Sequence, residues 1–176
     1  MKPEELENLV DQYGNSLYKF CCKLASNKAD ADDLYQETFL RAVEQCHKID
    51  KSNSPQGYLI SISIYIWKSR RRKYARRQRL APKVGLQDIS ILSDNYNLEN
   101  DIVTQELCNY VRTCVDCLDD KFRIPLYLYY TVEMTVEQIA STLRIPSGTV
   151  KSRLHKARAL IKKRLEAVGY ESAQYN

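Results

Sequence analysis

The stretch from Thr135 to Arg164 constrains this chain more than any other. Thr135-Val136-Glu137-Gln138 has the layout of a capping box, Thr at the N-cap and Gln three residues on, able to bond back to the cap's own amide. The helix it opens would run to Leu143 and turn Ile139, Ala140 and Leu143 inward. Arg144-Ile145-Pro146-Ser147 reads as a turn, with Ser147 able to cap a second helix that opens on Gly148-Thr149-Val150. There Val150, Leu154, Ala157 and Ile161 recur at three- and four-residue steps, while the opposite face carries Lys151, Ser152, His155, Lys156 and Arg158. Two helices, a tight turn and small Ala140 at the crossing make a helix-turn-helix pattern. Residues at the start of such a second helix reach base edges in a major groove, and cations further along neutralise phosphates. An ordinary solvated basic face is the alternative, and eight cations with no anion across 144–164 argue against it.

Charge elsewhere follows the same division. The chain has a formal net charge of +5 over 176 residues, yet residues 68–83 hold nine basic and no acidic residues. With both cationic segments set aside, the other 139 positions hold 10 basic and 22 acidic residues. Two concentrated positive surfaces in an otherwise acidic protein point to two contacts with polyanions. Between them, Asp88 to Asp120 holds eight acidic residues and one basic, Arg112.

Composition excludes other classes. A hydrophobic share of 44% supports packed cores. No apolar run approaches the roughly 18 residues needed to cross a bilayer, so direct membrane insertion is not expected. The start, Met1-Lys2-Pro3-Glu4-Glu5, lacks a charged-then-apolar signal layout, and a cytoplasmic protein is expected. Five Gly and five Pro disfavour a turn-rich all-β fold. Of the six cysteines, Cys114 and Cys117 form one CxxC pair with no second pair to complete a zinc site, and both fit the apolar stripe of a helix. His47 and His155 have no partner at metal-ligand spacing. No metal site, cofactor or catalytic residue is expected.

The N-terminal half reads as helices. Leu6, Leu9, Val10, Tyr13, Leu17, Phe20 and Leu24 form one stripe, broken at Ser26-Asn27-Lys28. Asp30 can cap a second helix with Asp32 and Asp33 in its first turn and Leu34, Phe39, Ala42, Val43 and Cys46 on its buried side. Residues 47–57 are polar and turn-rich, with Ser54-Pro55 suited to starting a helix. The next segment is ambiguous. Ile60, Ile62, Ile64 and Ile66 alternate with polar residues as in a strand, yet Leu59, Ile62 and Ile66 also suit a helix. Residues 81–100 carry Pro, Gly, Ser and Asn and look like a linker. Beyond it, Val103, Leu107, Tyr110, Val111, Cys114, Val115 and Leu118 give a further helical stripe, and Pro125 should start, kink or interrupt the segment at 120–130.

The run Gly148-Thr149-Val150-Lys151-Ser152-Arg153-Leu154-His155-Lys156-Ala157-Arg158, within Thr135–Leu165, resembles region 4 of the bacterial sigma-70 family, and most of all its small extracytoplasmic-function (ECF) group. Asp30-Ala31-Asp32-Asp33-Leu34-Tyr35-Gln36-Glu37-Thr38-Phe39-Leu40-Arg41-Ala42 is similar to region 2.2, and the two occur in the family's order around a linker.

The resemblance implies an all-α protein of two small helical domains joined by a flexible linker. A region 2 bundle would occupy 1–80, a linker 81–101, a region 4 helix-turn-helix 102–168 and a tail 169–176. It implies a sigma factor that binds core RNA polymerase and directs promoter-specific initiation. Asp32, Asp33, Gln36, Glu37 and Arg41 would meet the clamp helices of the β′ subunit, and the β flap would be a second polymerase contact. Tyr58, Tyr65, Arg70, Arg71, Arg72, Lys73, Arg76 and Arg77 would engage the −10 element, which makes 55–79 helical against its strand-like period. Loop 47–54 would hold a flipped base. Thr149, Lys151, Ser152, Arg153, His155, Lys156 and Arg158 would engage −35 DNA. The family usually has Trp where Tyr58 stands, and often Asn and Asp at Tyr65 and Ser69. The group further implies an anti-sigma factor, often membrane-bound, and a bacterial cytoplasmic protein brought to the nucleoid by polymerase. Two rival readings are an autonomous helix-turn-helix regulator with a helical sensor domain and a redox-switched or metal-binding signalling module built on the cysteines.

Overall fold

A computed structural model of the chain describes residues 3–45, 54–80 and 102–169. Among them run seven helices and no strand: α1 (Pro3–Leu24), α2 (Lys28–Glu44), α3 (Pro55–Leu80), α4 (Ile102–Asp116), α5 (Asp120–Tyr130), α6 (Val136–Leu143) and α7 (Ser147–Ala167). They gather into two compact units, one built on α1–α3 and one on α4, α5, α7 and most of α6. The expected linker at 81–101, nearly all of the 47–54 loop, and the tail beyond residue 169 lie outside the described residues.

In the first unit the three helices pack pairwise. Leu17, Phe20, Cys21 and Leu24, spaced i, i+3, i+4 and i+7, form the buried stripe of α1, whereas Val10 nearer its start is exposed. Asn27, not Asp30, caps α2: its Oδ1 accepts the Asp30 N–H at 2.8 Å and its Nδ2 donates to the Asp30 carboxylate at 2.9 Å. Asp30 therefore lies inside the first turn, where its charge still meets the positive end of the helix.

Helix α3 begins at Pro55, as the Ser54-Pro55 pair suggests, with the Ser54 carbonyl accepting from the Tyr58 N–H at 3.0 Å. The alternating isoleucines are helical. At about 100° per residue, Leu59, Ile60, Ile62, Ser63, Ile64, Ile66 and Trp67 sweep an arc of about 200°, and all are buried. A helix wedged against two others buries more than one stripe, so a wide apolar arc imitates the period of a strand. The Ser63 hydroxyl, fully buried, is satisfied by donating to the Ile60 carbonyl at 2.8 Å, and Thr38 does the same to Leu34 at 2.7 Å.

The second unit packs α7 on α5 and α4. Pro125 lies inside α5 without ending it; Phe122, Ile124, Pro125, Leu126, Tyr127 and Leu128 are buried around it. The Tyr127 hydroxyl donates to Asp116 at 2.9 Å, and burial, then the Asp116 charge, raise its pKa. A reciprocal clasp joins α4 to α7. Tyr110 donates to the Arg164 carbonyl at 3.2 Å, and the Arg164 guanidinium donates to the Cys114 carbonyl at 2.7 Å and the Cys117 carbonyl at 3.5 Å. Arg164 thus satisfies carbonyls at the end of α4 that have no partner within the helix. Cys114 is buried, but Cys117 lies past the end of α4 and is exposed, so only one of the CxxC pair belongs to the apolar stripe.

Close approach of α1 to α2 requires Gly14. A Cβ there would stand 2.8 Å from the Tyr35 hydroxyl. The Tyr35 ring is held by edge contacts to Tyr18 and Phe39, with centroids 5.5 and 5.0 Å away, so it has little room to retreat. Gly14→Ala should cost about 1–3 kcal/mol in crowding, against about 1 kcal/mol of helix propensity gained. In a Tyr35→Phe background the same change should become stabilising. Denaturant unfolding of the four proteins of this cycle measures both effects; an identical Gly14→Ala effect in the two backgrounds contradicts the contact.

Candidate nucleic-acid interface

The helix-turn-helix is set by local chemistry at each end of α6. Thr135 N–H donates to Gln138 Oε1 at 2.8 Å, and Gln138 N–H to Thr135 Oγ1 at 3.2 Å, the reciprocal capping box its sequence predicts. At the other end Arg144 adopts φ 53°. Its N–H bonds the Ser141 carbonyl and the Ile145 N–H bonds the Ala140 carbonyl, a Schellman closure built without the usual glycine. Pro146, not Ser147, is the cap of α7. Ser147 is its first helical residue, and no side chain caps it.

On α7, Val150, Leu154 and Ala157 are buried, with Ile161 half-buried on the same side. Lys151, Ser152, His155, Lys156 and Arg158 are exposed on the far side, as expected. Thr149 and Arg153 are half-buried on the flank nearer the core, which separates them from the others. By helical position Lys151, Ser152 and His155 lie within the solvent arc, while Arg158 and Lys156 stand at its two edges. Both edge cations lie against α5: Lys156 Nζ is 5.6 Å from the Phe122 centroid, and Arg158 lies 5.5 and 5.6 Å from those of Tyr129 and Tyr130. Sequence reasoning did not select these two tyrosines. The only signal available was their repetition at the end of a Tyr- and Leu-rich segment.

On α3 the arc left open by the buried residues holds Tyr58, Ser61, Tyr65, Lys68 and Ser69, and further along Arg72, Arg76 and Arg79. Tyr65 is 59% exposed, with the Arg41 guanidinium 5.7 Å from its ring centre. Tyr58 is half-buried and donates to the Gln45 carbonyl at 3.3 Å. From Arg71 to Arg79 every side chain except Gln78 is exposed. The expected −10 residues therefore divide. Tyr65, Arg72 and Arg76 share the open track, and Lys73 and Arg77 are exposed off it. Arg71 lies 4.7 Å from the Trp67 ring centre. Arg70 donates to Glu37 at 2.6 Å and to the Asp33 carbonyl at 3.4 Å.

That last pair joins two sites the sequence separates. Glu37, expected to face polymerase, takes Arg70 on one carboxylate oxygen and Arg41 on the other at 2.9 Å. Asp32 accepts from the Tyr18 hydroxyl at 2.7 Å, a bond that, with burial and the neighbouring Cys22, raises the Tyr18 pKa. Asp33 and Gln36 remain exposed, and between them and Glu44 stands Leu40, 64% exposed. Leu40 was missed because it falls outside the buried period of α2 and nothing else in the sequence marks it. Burial, with the adjacent Cys22, pushes the Cys21 thiol up to about 12, leaving it protonated and inert. Among the described residues no group of His, Cys, Asp or Glu could hold a metal ion.

These two surfaces coincide with known families. Residues 9–77 match sigma-70 region 2, and residues 108–161 match sigma-70 region 4. The chain is 32% identical over 163 residues to the ECF RNA polymerase sigma factor SigW of Bacillus subtilis (strain 168), covering 90% of this chain and 87% of that protein. The protein belongs to the ECF group of sigma-70 factors. It is also 27% identical to the ECF sigma factor SigE of Mycolicibacterium smegmatis, covering 96% of this chain and 64% of that one. The fold is that of the sigma factor RpoE solved with the anti-sigma factor NepR from Bartonella quintana (TM-score 0.77, 20% identity, 93% of this chain and 98% of that one). CnrH, solved with the cytosolic domain of CnrY, is similar (TM-score 0.68, 20% identity, 94% and 90%). Region 2 of this sigma factor thus takes in α2 and nearly all of α3, and region 4 takes in α5, α6 and most of α7.

Because Arg144 holds a left-handed conformation that disfavours any side chain, Arg144→Gly should stabilise the helix-turn-helix by about 1 kcal/mol. Thermal unfolding of the two proteins measures this, and a lower midpoint for the glycine variant would show that Arg144 makes compensating contacts.

Proposed function

We propose that this ECF sigma factor binds core RNA polymerase and directs it to promoters by gripping two DNA elements at once. The observation that carries the reading is the occurrence, in family order, of a region 2 and a region 4 whose exposed helices α3 and α7 each present a cationic face. The working division is a region 2 domain at 1–80, a linker at 81–101, a region 4 domain at 102–168 and a tail at 169–176.

In this reading α2 docks on the clamp helices of β′ through Asp32, Asp33, Gln36, Glu37 and Arg41. Leu40 is added as the apolar centre of that contact, because an exposed leucine ringed by polar groups gains most from being covered. The second unit makes the flap contact. On α7, Lys151, Ser152 and His155 reach base edges of the −35 element, Lys156 and Arg158 take phosphates on its flanks, and Thr149 and Arg153 support the helix from its inner side. On α3, Arg72, Lys73, Arg76 and Arg77 neutralise −10 phosphates, Tyr65 offers its ring to an unpaired base, and Tyr58, Arg70 and Arg71 support that surface.

Strand opening is driven by binding free energy. Unstacking costs a few kcal/mol per step, and each base stacked on an aromatic ring returns about 1–3 kcal/mol. The phosphodiester chemistry is the polymerase's, and the sigma factor contributes no catalytic group. No described helix is long and apolar enough to cross a membrane, in keeping with action in the cytoplasm, at the nucleoid through polymerase. The solved relatives, each captured with an anti-sigma factor or the cytosolic domain of a partner, support an anti-sigma partner here, which in this group is often membrane-bound.

Run-off transcription from genomic templates, with and without core enzyme, tests the reading. Initiation should appear only when sigma and core are combined. Tight, core-independent promoter binding by a symmetric dimer would instead mark an autonomous regulator. Lys151→Ala, which removes a base contact, should cost about 1–3 kcal/mol of promoter binding, and Lys156→Ala, which removes a phosphate contact, should weaken binding and lower its salt slope by about one, both on templates that carry the −35 element. Arg72→Ala should act on −10 binding and opening. Equal losses from all three on a template lacking the −35 element would refute this division of labour.

A further inference from the structure

The Arg158 side chain at the edge of α7 is not free in solvent. Its Nε–H donates to the Tyr130 hydroxyl at 3.0 Å, and its guanidinium lies over the rings of both Tyr129 and Tyr130. The two rings brace each other edge to face with centroids 5.0 Å apart. Tyr130 is nonetheless 58% exposed. A large aromatic side chain left this open at the end of α5, against a cation on the DNA-facing helix, is not serving the core.

The donors that remain define what the cluster can bind. Because the Tyr130 oxygen accepts from Nε, its own proton is left to donate, and bonding through Nε leaves both Nη groups of Arg158 unused. Neither side chain makes another hydrogen bond among the described residues. A fixed guanidinium and a phenol donating side by side suit one anion with several acceptor oxygens. The neighbours of Arg158 on the same face of α7 are Lys151, His155 and Lys162; Lys162 meets Glu166 at 3.7 Å in an exposed pair that solvent screens, and Lys151 continues the cluster as a track for a polyanion.

We infer that Tyr130, with Tyr129 behind it, forms with Arg158 a clamp for one backbone phosphate of the −35 duplex, a contact contributed by α5 rather than by the recognition helix. The inference rests on the assignment of α7 to −35 DNA. In it Tyr130 has two tasks: it donates a hydrogen bond to the phosphate, and it holds Arg158 in a single geometry, so less rotamer entropy is lost on binding.

Holoenzyme assembled from the full chain and core polymerase is bound to a promoter carrying both elements, and to a matched template whose −35 element is replaced, over a range of salt. Tyr130→Phe removes one exposed oxygen and should leave thermal unfolding unchanged. It should weaken binding to the first template about tenfold, the loss of a hydrogen bond to a charged group, and leave the second template unaffected. Its salt slope should match wild type because no charge is lost, whereas Arg158→Ala should lower the slope by about one. In the Arg158→Ala background Tyr130→Phe should cost much less than alone. Wild-type binding by Tyr130→Phe, full additivity of the two changes, or equal loss on both templates overturns the clamp. Lys151→Ala separates this failure from a deeper one. If Lys151→Ala loses −35-dependent binding and Tyr130→Phe does not, only the clamp is wrong; if neither loses it, the placement of α7 on −35 DNA is wrong as well.

Discussion

The first unit depends on the burial of the opening turns of α3. Leu59, Ile60, Ile62, Ile64, Ile66 and Trp67 are all covered, each worth about 1.5–3 kcal/mol. Because a single helix continues from this anchored half into the exposed, arginine-rich half, the cations are carried on a rigid extension rather than a loop. Eight basic residues within one helix repel one another, and an isolated helix of that composition would be marginal in water. The apolar anchor provides what the charged half lacks.

The second unit distributes its positive charge between structure and surface. Arg164 is committed to carbonyls at the end of α4, while Lys151, Lys156 and Arg158 stay on the exposed side. Region 2 makes a comparable division, with Arg70 engaged by Glu37 and Arg72 and Arg76 left open. These surface pairs are each worth about 0–1 kcal/mol, little for stability. They decide which cations remain available to DNA.

Legibility followed the range of the interactions. The Thr135–Gln138 capping box and the start of α3 at Pro55 depend on neighbours within four residues and were readable from the residues. The caps of α2 and α7 were each displaced, from Asp30 to Asn27 and from Ser147 to Pro146, because several adjacent residues could serve and backbone geometry chose among them. The alternating isoleucines of α3 misled for a different reason: periodicity reports how many faces are buried, and α3 is buried against two neighbours at once. Cys117 belonged to the stripe only while α4 was imagined to continue, and α4 ends at Asp116.

The sequence alone determined the helical class, the helix-turn-helix, the two cationic segments and the family resemblance, since these rest on composition, on short-range periodicity and on one specific run of residues. The tertiary structure alone decided which charged residues are occupied. Arg70 on Glu37, Asp32 on Tyr18, Arg158 on Tyr130 and Arg164 on the end of α4 pair residues between 14 and 50 positions apart. Such pairings arise only when helices pack, and no local pattern in the chain encodes them.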